Sequence, residues 1–199
     1  MLNTPFKIVF LVFFLIQETI RTPHRKRNAR ARRQKDIALE RARGIDIALD
    51  LLAYLGMAVI PVVHSLSTFF DFANASLPSW LGWLGAGLLA LATILLWKAH
   101  ADLGKNWSPS IQILPEHRLV SEGIYRAIRH PIYAAVWLSV IAQALLLSNW
   151  IVGPLGMLFF LPVYVTRVPR EEQMMLEQFG EEYRTYMQQT GRLLPRLKH

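Results

Sequence analysis

Apolar residues in this chain come in long blocks separated by polar stretches of very unequal charge. Residues 6–20 are apolar apart from Lys7, Gln17 and Glu18, and residues 45–72 carry the interruptions Asp46, Asp50 and His64. Residues 80–97 are uncharged throughout, and residues 132–147 and 150–166 are separated only by Ser148 and Asn149. Blocks of this kind, instead of one apolar position per turn, mark helices that are apolar all round. A bilayer core of about 30 Å takes roughly 20 helical residues to cross. The pattern predicts an all-α membrane protein with five transmembrane helices, forming a single domain over residues 1–199. The first block is short and could be a signal peptide, but no A-x-A-like cleavage site follows it, which favours a retained anchor. The two-residue link at 148–149 predicts an antiparallel hairpin of the fourth and fifth spans.

Charge then sets the expected orientation. Arg21, Arg25, Lys26, Arg27, Arg30, Arg32, Arg33 and Lys35 form a basic run, and residues 98–131 form a second polar segment. The stretches 71–79 and 148–149 hold no Lys or Arg. The positive-inside rule therefore predicts the N-terminus outside and the two basic segments, with the C-terminal region, in the cytoplasm. A chain that is 53% hydrophobic yet net +8 suits a multi-pass membrane protein with the lipid bilayer as partner. Headgroup contact explains the basic run better than nucleic acid does. Cysteine is absent, which excludes disulfides, thiol nucleophiles and Cys-ligated metals.

Residues 169–189 read differently. Pro169 suits a first helical turn, Glu171 and Glu172 favour its positive end, and Met175, Phe179, Tyr183 and Met187 recur every four residues. An amphipathic helix on the membrane surface or on the cytoplasmic loop is expected, mildly weakened by Gly180.

The candidates for chemistry gather on the cytoplasmic side. They are His100, Asn106, His117, Arg118, Tyr125, Arg126, Arg129, His130 and Tyr133 in one segment, and Arg167, Arg170, Glu171 and Glu172 in the other. Interfacial solvation accounts for any one of them, and Arg129-His130-Pro131 can be a plain helix start. Their convergence beside helix ends is what suggests a site. Arg167 and Glu171, four apart, would share a helix face, to pair with each other or to hold opposite ends of a zwitterion. His64 reads as a core histidine and Glu18 as interfacial, while Asp46 and Asp50 read as offset by Arg43 and the helix start. There is no H-E-x-x-H, P-loop, G-x-S-x-G or G-x-G-x-x-G, so no metal site is expected.

Five short motifs, H-R-L-V (117–120), G-I-Y (123–125), R-H-P-I-Y (129–133), R-V-P-R-E-E (167–172) and F-G-E-E-Y (179–183), resemble the isoprenylcysteine carboxyl methyltransferase family. The final G-R-L-L-P (191–195) is also similar, and the likeness covers about residues 98–199. The resemblance implies a membrane-embedded enzyme that uses S-adenosyl-L-methionine and releases S-adenosyl-L-homocysteine. It implies a cofactor pocket built from the loop before span four, the start of that span and the C-terminal helix. His117, Arg118, Leu119, Val120, Tyr125, His130, Pro131, Ile132, Tyr133 and Glu171 would line it, with Gln112 a tentative addition. Arg167 would face a lipophilic methyl acceptor entering from the membrane.

Three classes of function remain open on the residues. One is O-methylation of a lipophilic carboxylate. Another is N-methylation of a phospholipid or other amine, which needs a base such as His130 or Glu172. The third is a non-enzymatic membrane sensor or scaffold. A membrane reductase using NADPH is a distant further reading.

Overall fold

The computed structural model describes residues 4–33, 39–40, 44–104, 112–113 and 119–196. Its helices are α1 (Thr4–Arg33), α2 (Gly44–Leu66), α3 (Ser79–Leu103), α4 (Pro131–Leu147), α5 (Val152–Phe179) and α6 (Glu181–Gln189). Two-residue strands, β1 (Leu39–Glu40) and β2 (Gln112–Ile113), pair antiparallel with Glu40 opposite Gln112. The fold is otherwise helical, as the block pattern predicts. Among the described residues α2, α3 and α5 are long and apolar enough to cross a membrane, and α4 is a shorter apolar helix. The chain is an integral membrane protein.

Three boundaries differ from the sequence reading. The first apolar block does not end at the basic run, because α1 continues through Pro23 to Arg33. Glu18 pairs with Arg21 at 3.5 Å and with Arg25 at 2.8 Å, so a carboxylate one and two turns back steadies the basic part of the helix. The second block stops at Leu66, and residues 71–73 form a separate 3-10 turn.

The third difference matters most for the site. No helix starts at Pro169. Helix α5 runs unbroken for 28 residues, about 42 Å at 1.5 Å per residue, with Pro162 and Pro169 inside it. Each proline removes one donor from the ladder, but the bonds on either side persist and Val168 is fully buried between them. The break comes instead at Gly180, whose φ of +54° suits glycine and turns the chain into α6. The expected stripe of Met175, Phe179, Tyr183 and Met187 is thus divided between two helices, and the buried positions are Met174, Tyr183 and Tyr186.

Packing explains how the bundle holds. Phe6 and Phe10 of α1 join Leu89, Ala142, Leu146, Leu147 and Val152 in one core cluster, which packs the first helix into the bundle. A second cluster, Ala53, Val136, Val140, Phe160 and Val163, joins α2, α4 and α5. Dispersion between close-fitting surfaces must do this work, since lipid tails are as apolar as the side chains. Gly56, in a π-helical stretch of α2 (Leu55–Val59), lets the backbones of α2 and α5 meet; a Cβ there would stand 2.8 Å from the Leu155 carbonyl oxygen.

Buried amides tie the helices further. Gln17 donates to Thr93 at 3.0 Å and Ser139 at 3.1 Å, linking α1, α3 and α4. Gln143 donates to the Gly56 carbonyl at 3.1 Å and the Val152 carbonyl at 2.8 Å. At the same end as the start of α1, Asn149 caps α5 by accepting from the Ile151 and Val152 amides, each at 3.0 Å, and donates to the Phe70 carbonyl at 2.8 Å. The two links without Lys or Arg, 71–79 and 148–149, therefore share one end of the bundle. His64 is a fully buried core residue there, its Nδ1 3.9 Å from Asp71.

Replacing Gln143 with Leu leaves the Gly56 and Val152 carbonyls without this donor. The variant is expected to lose about 1–3 kcal/mol of stability. A melting temperature in detergent equal to that of the parent chain would count against the role.

Candidate active site

The site is assembled at the opposite end, where α3 hands over to α4. Asp102 accepts the Ile124 amide at 2.7 Å and Lys98 Nζ at 2.9 Å, fixing the 3-10 turn Gly123–Arg126 to the last turn of α3. Gly123 has φ +57°, and a Cβ there would lie 2.1 Å from Asp102 Oδ2, so only glycine permits this approach. The turn buries Tyr125, and its carbonyl accepts the Tyr186 hydroxyl of α6 at 2.7 Å. Burial, with the Tyr186 phenol nearby, raises the Tyr125 pKa well above the usual phenol range and keeps it protonated.

The C-terminal segment returns to clamp the next residues. The Gly191 amide donates to Ala127 at 3.1 Å, Arg129 donates to the Gly191 carbonyl at 2.9 Å, and His130 to the Arg192 carbonyl at 3.1 Å. Pro131 then opens α4.

Glu172 knots these pieces together. Its buried carboxylate accepts Arg129 Nε at 2.8 Å and Arg192 Nε at 3.1 Å, and its Oε1 lies 3.2 Å from His130 Nε2. Arg192 also reaches Glu172 Oε2 with its terminal nitrogen. Arg129 also donates from one terminal nitrogen to the Thr190 carbonyl at 2.6 Å and the Met187 carbonyl at 3.4 Å. These bonds raise the Arg192 pKa above its ordinary value, chiefly through the hydrogen bond to Glu172.

Beside this knot opens a cavity of about 640 Å³, within the roughly 300–1,000 Å³ of small-molecule sites. Leu119, Val120, Tyr125, His130, Pro131, Ile132, Tyr133, Arg167 and Glu171 all line it, which brings these candidates from the sequence together in one place. The Tyr133 hydroxyl donates to Glu171 at 2.7 Å, and His130 Nδ1 is 3.9 Å from the same carboxylate. Tyr133 and Phe160 line the cavity and pack against Trp137 and Tyr164, with ring centroids 5.2–6.2 Å apart. Toward α1 and α2 the lining is mixed: Phe10, Phe14, Leu51 and Met57 give apolar surface, and Gln17, Glu18, Arg21, Arg25 and Asp50 give polar and charged surface. His117 and Arg118 lie outside the described residues, as does Asn106; of Gln112 only its backbone pairing in β2 is described.

Arg167 does not pair with Glu171. It donates to both oxygens of Asp50, at 2.9 and 2.8 Å, across the α2–α5 interface. One turn away Arg170 donates to Asp46 Oδ2 at 3.2 Å and also contacts Oδ1. The assignment of Asp46 and Asp50 to Arg43 and the helix start is therefore corrected. A signal was present: carboxylates four apart in one span, and guanidiniums three apart at the end of another, are costly in lipid unless they meet. His100 lies by α1, its ring stacked on His24 with centroids 4.6 Å apart. Among the described residues no cluster of three metal-ligating side chains occurs.

An apolar helical bundle with an ionic cavity of small-molecule size at one end defines the class as a membrane protein with an internal cavity. Residues 83–177 match the model of the isoprenylcysteine carboxyl methyltransferase family, which bears out the resemblance in the sequence motifs. The chain is 27% identical over 143 residues to protein-S-isoprenylcysteine O-methyltransferase B of Arabidopsis thaliana, covering 69% of this chain and 71% of that one. It is 30% identical over 132 residues to the protein-S-isoprenylcysteine O-methyltransferase of Tribolium castaneum, covering 65% and 47%. The solved structure of a eukaryotic intramembrane Ras methyltransferase, isoprenylcysteine carboxyl methyltransferase, shares the fold with a TM-score of 0.51 at 24% identity, over 75% of this chain and 50% of that one. The chain thus spans about half the length of the insect relative and of the solved structure.

Glu172→Ala leaves Arg129 and His130 buried beside Arg192 without their counter-charge. About 3 kcal/mol of stability is expected to go, together with protection of residues 187–196. Hydrogen exchange followed by mass spectrometry reads the second effect directly; protection unchanged from the parent would dismiss the knot.

Proposed function

We propose that this chain is a membrane-embedded methyltransferase that uses S-adenosyl-L-methionine and O-methylates the carboxylate of an isoprenylcysteine-like or other lipophilic acceptor. The observation that carries the reading is the convergence of Tyr125, His130, Tyr133, Arg167 and Glu171 on one cavity that also offers apolar surface from Phe10, Phe14, Leu51 and Met57. Five helices, α1 to α5, cross the bilayer in this reading, with the cavity on the cytoplasmic side and the N-terminus outside. The gathering of the basic segments at the cavity end supports that orientation.

The lining suits the cofactor. Glu171 offers a carboxylate to an amino group or to ribose hydroxyls, and the rings of Tyr125 and Tyr133 offer faces to adenine or to a sulfonium. By family resemblance His117, Arg118, Leu119, Val120, Pro131 and Ile132 complete the cofactor set. When bound, S-adenosyl-L-methionine supplies a methyl group already activated by positive charge.

The protein's share is placement. Arg167 holds the acceptor carboxylate with a guanidinium fork and aims one oxygen at the methyl group. A carboxyl group with a pKa of about 4 is ionised at neutral pH, so no general base is needed. Tyr133 fixes Glu171 through its hydroxyl, and the buried rings of Tyr183 and Tyr186 keep water from the cavity floor. The acceptor's lipid tail enters sideways between helices and lies along Phe10, Phe14, Leu51 and Met57.

Purified protein given methyl-labelled cofactor and a lipophilic carboxylate is expected to form a product whose label is released by mild base, as an ester requires. A base-stable label would point to N-methylation instead. Glu171→Ala is expected to weaken S-adenosyl-L-homocysteine binding about ten- to a hundredfold in calorimetry. Arg167→Ala should keep that affinity and lose about a hundredfold in kcat/KM for the acceptor; normal turnover would remove Arg167 from the mechanism.

A further inference from the structure

Arg167 already holds a carboxylate. Asp50 of α2 presents both oxygens to one guanidinium nitrogen, at 2.9 and 2.8 Å, and both residues line the cavity. The two sides of this pair are unequal. The Arg167 side chain is 11% exposed, whereas that of Asp50 is 49% exposed. The neighbouring rung differs again, since Asp46 is only 5% exposed beneath Arg170. One rung is therefore buried and holds α2 against α5, while the other has a carboxylate that can swing into open space without parting the helices.

This asymmetry has a consequence for acceptor choice, and it rests on the reading of Arg167 as the acceptor-binding group. We propose that Asp50 is a specificity-determining residue: its carboxylate holds one terminal nitrogen of the Arg167 guanidinium as an internal stand-in for the acceptor, and an incoming lipophilic carboxylate takes its place. Exchange of one carboxylate for another keeps the buried guanidinium paired throughout, avoiding the cost of an uncompensated buried charge. Asp50 is half exposed and lines the cavity, so the displaced carboxylate has polar neighbours to turn toward. A neutral acceptor of the same shape brings no charge to the exchange and meets Asp50 still in place, so Asp50 weakens binding of the carboxylate alone and narrows the preference for it over a neutral analogue. Asp50 lies outside residues 83–177, in a part of the chain that the family match does not reach.

The test compares wild type and Asp50→Asn, as full chains in lipid nanodiscs, titrated with dodecylthioacetate and with its primary amide. With the competing charge removed, Asp50→Asn is expected to bind the carboxylate about three- to tenfold more tightly and the amide unchanged. Equal or weaker carboxylate binding, or equal tightening of the amide, overturns the proposal. Asp50→Ser repeats the measurement with a shorter neutral side chain and is expected to agree. Asp46→Asn cuts the other rung and should leave the carboxylate-to-amide affinity ratio at its wild-type value; a shift matching that of Asp50→Asn overturns the assignment as well. Neither titration requires cofactor. A wild type that fails to bind S-adenosyl-L-homocysteine would defeat the methyltransferase reading, while the carboxylate and amide titrations still decide the role of Asp50.

Discussion

A carboxylate buried at the end of a membrane helix is costly unless donors surround it, and Glu172 is surrounded by Arg129, His130 and Arg192. Those partners come from the segment before α4 and from the C-terminal return, neither of which has an apolar core of its own. Without a common charge to meet at, they would have little reason to pack on α5. With it, Tyr125, His130 and Tyr133 are fixed beside Glu171, and the cavity has walls. The adjacent glutamates divide the labour: Glu172 turns inward to hold the structure, while Glu171 faces the cavity with a single hydrogen bond from Tyr133.

The continuity of α5 gives this arrangement its precision. A helix that stopped at Thr166 and restarted at Pro169 would place Arg167 and Glu171 on a flexible joint. As one rigid rod, α5 carries charge from the membrane-level ladder with α2 directly into the pocket, so Asp50–Arg167, Glu171–Tyr133 and Glu172–Arg129 lie along a single element. Sites on helices hold geometry more tightly than sites on loops, and in-line methyl transfer is sensitive to misplacement on the ångström scale.

Polar side chains inside the bundle have a related task. Gln17 and Gln143 each bond to two other elements, and Gln143 stands beside Gly56 and Gly156, which let helices approach closely. In lipid, where apolar contact alone does not distinguish one helix pairing from another, such amides select which faces meet.

Much was legible from the chain alone because its causes are local. Block length against bilayer thickness specifies the apolar helices, the uneven Lys and Arg content separates the two ends, and short motifs carry Leu119, Val120, Tyr125, His130, Pro131, Ile132, Tyr133, Arg167 and Glu171 to one cavity. What escaped depends on partners far apart in sequence. Asp50 meets Arg167 across 117 residues and Gln17 meets Ser139 across 122, and no periodicity records such encounters. Pro169 misled because a proline's local preference is to start a helix, whereas the burial of Val168 and the packing around it kept α5 continuous. Local hydrophobicity and charge thus determined which segments are helices and which end is polar; only tertiary packing decided which carboxylate each arginine holds, because ion pairs in a low-dielectric interior form wherever the fold brings the charges together.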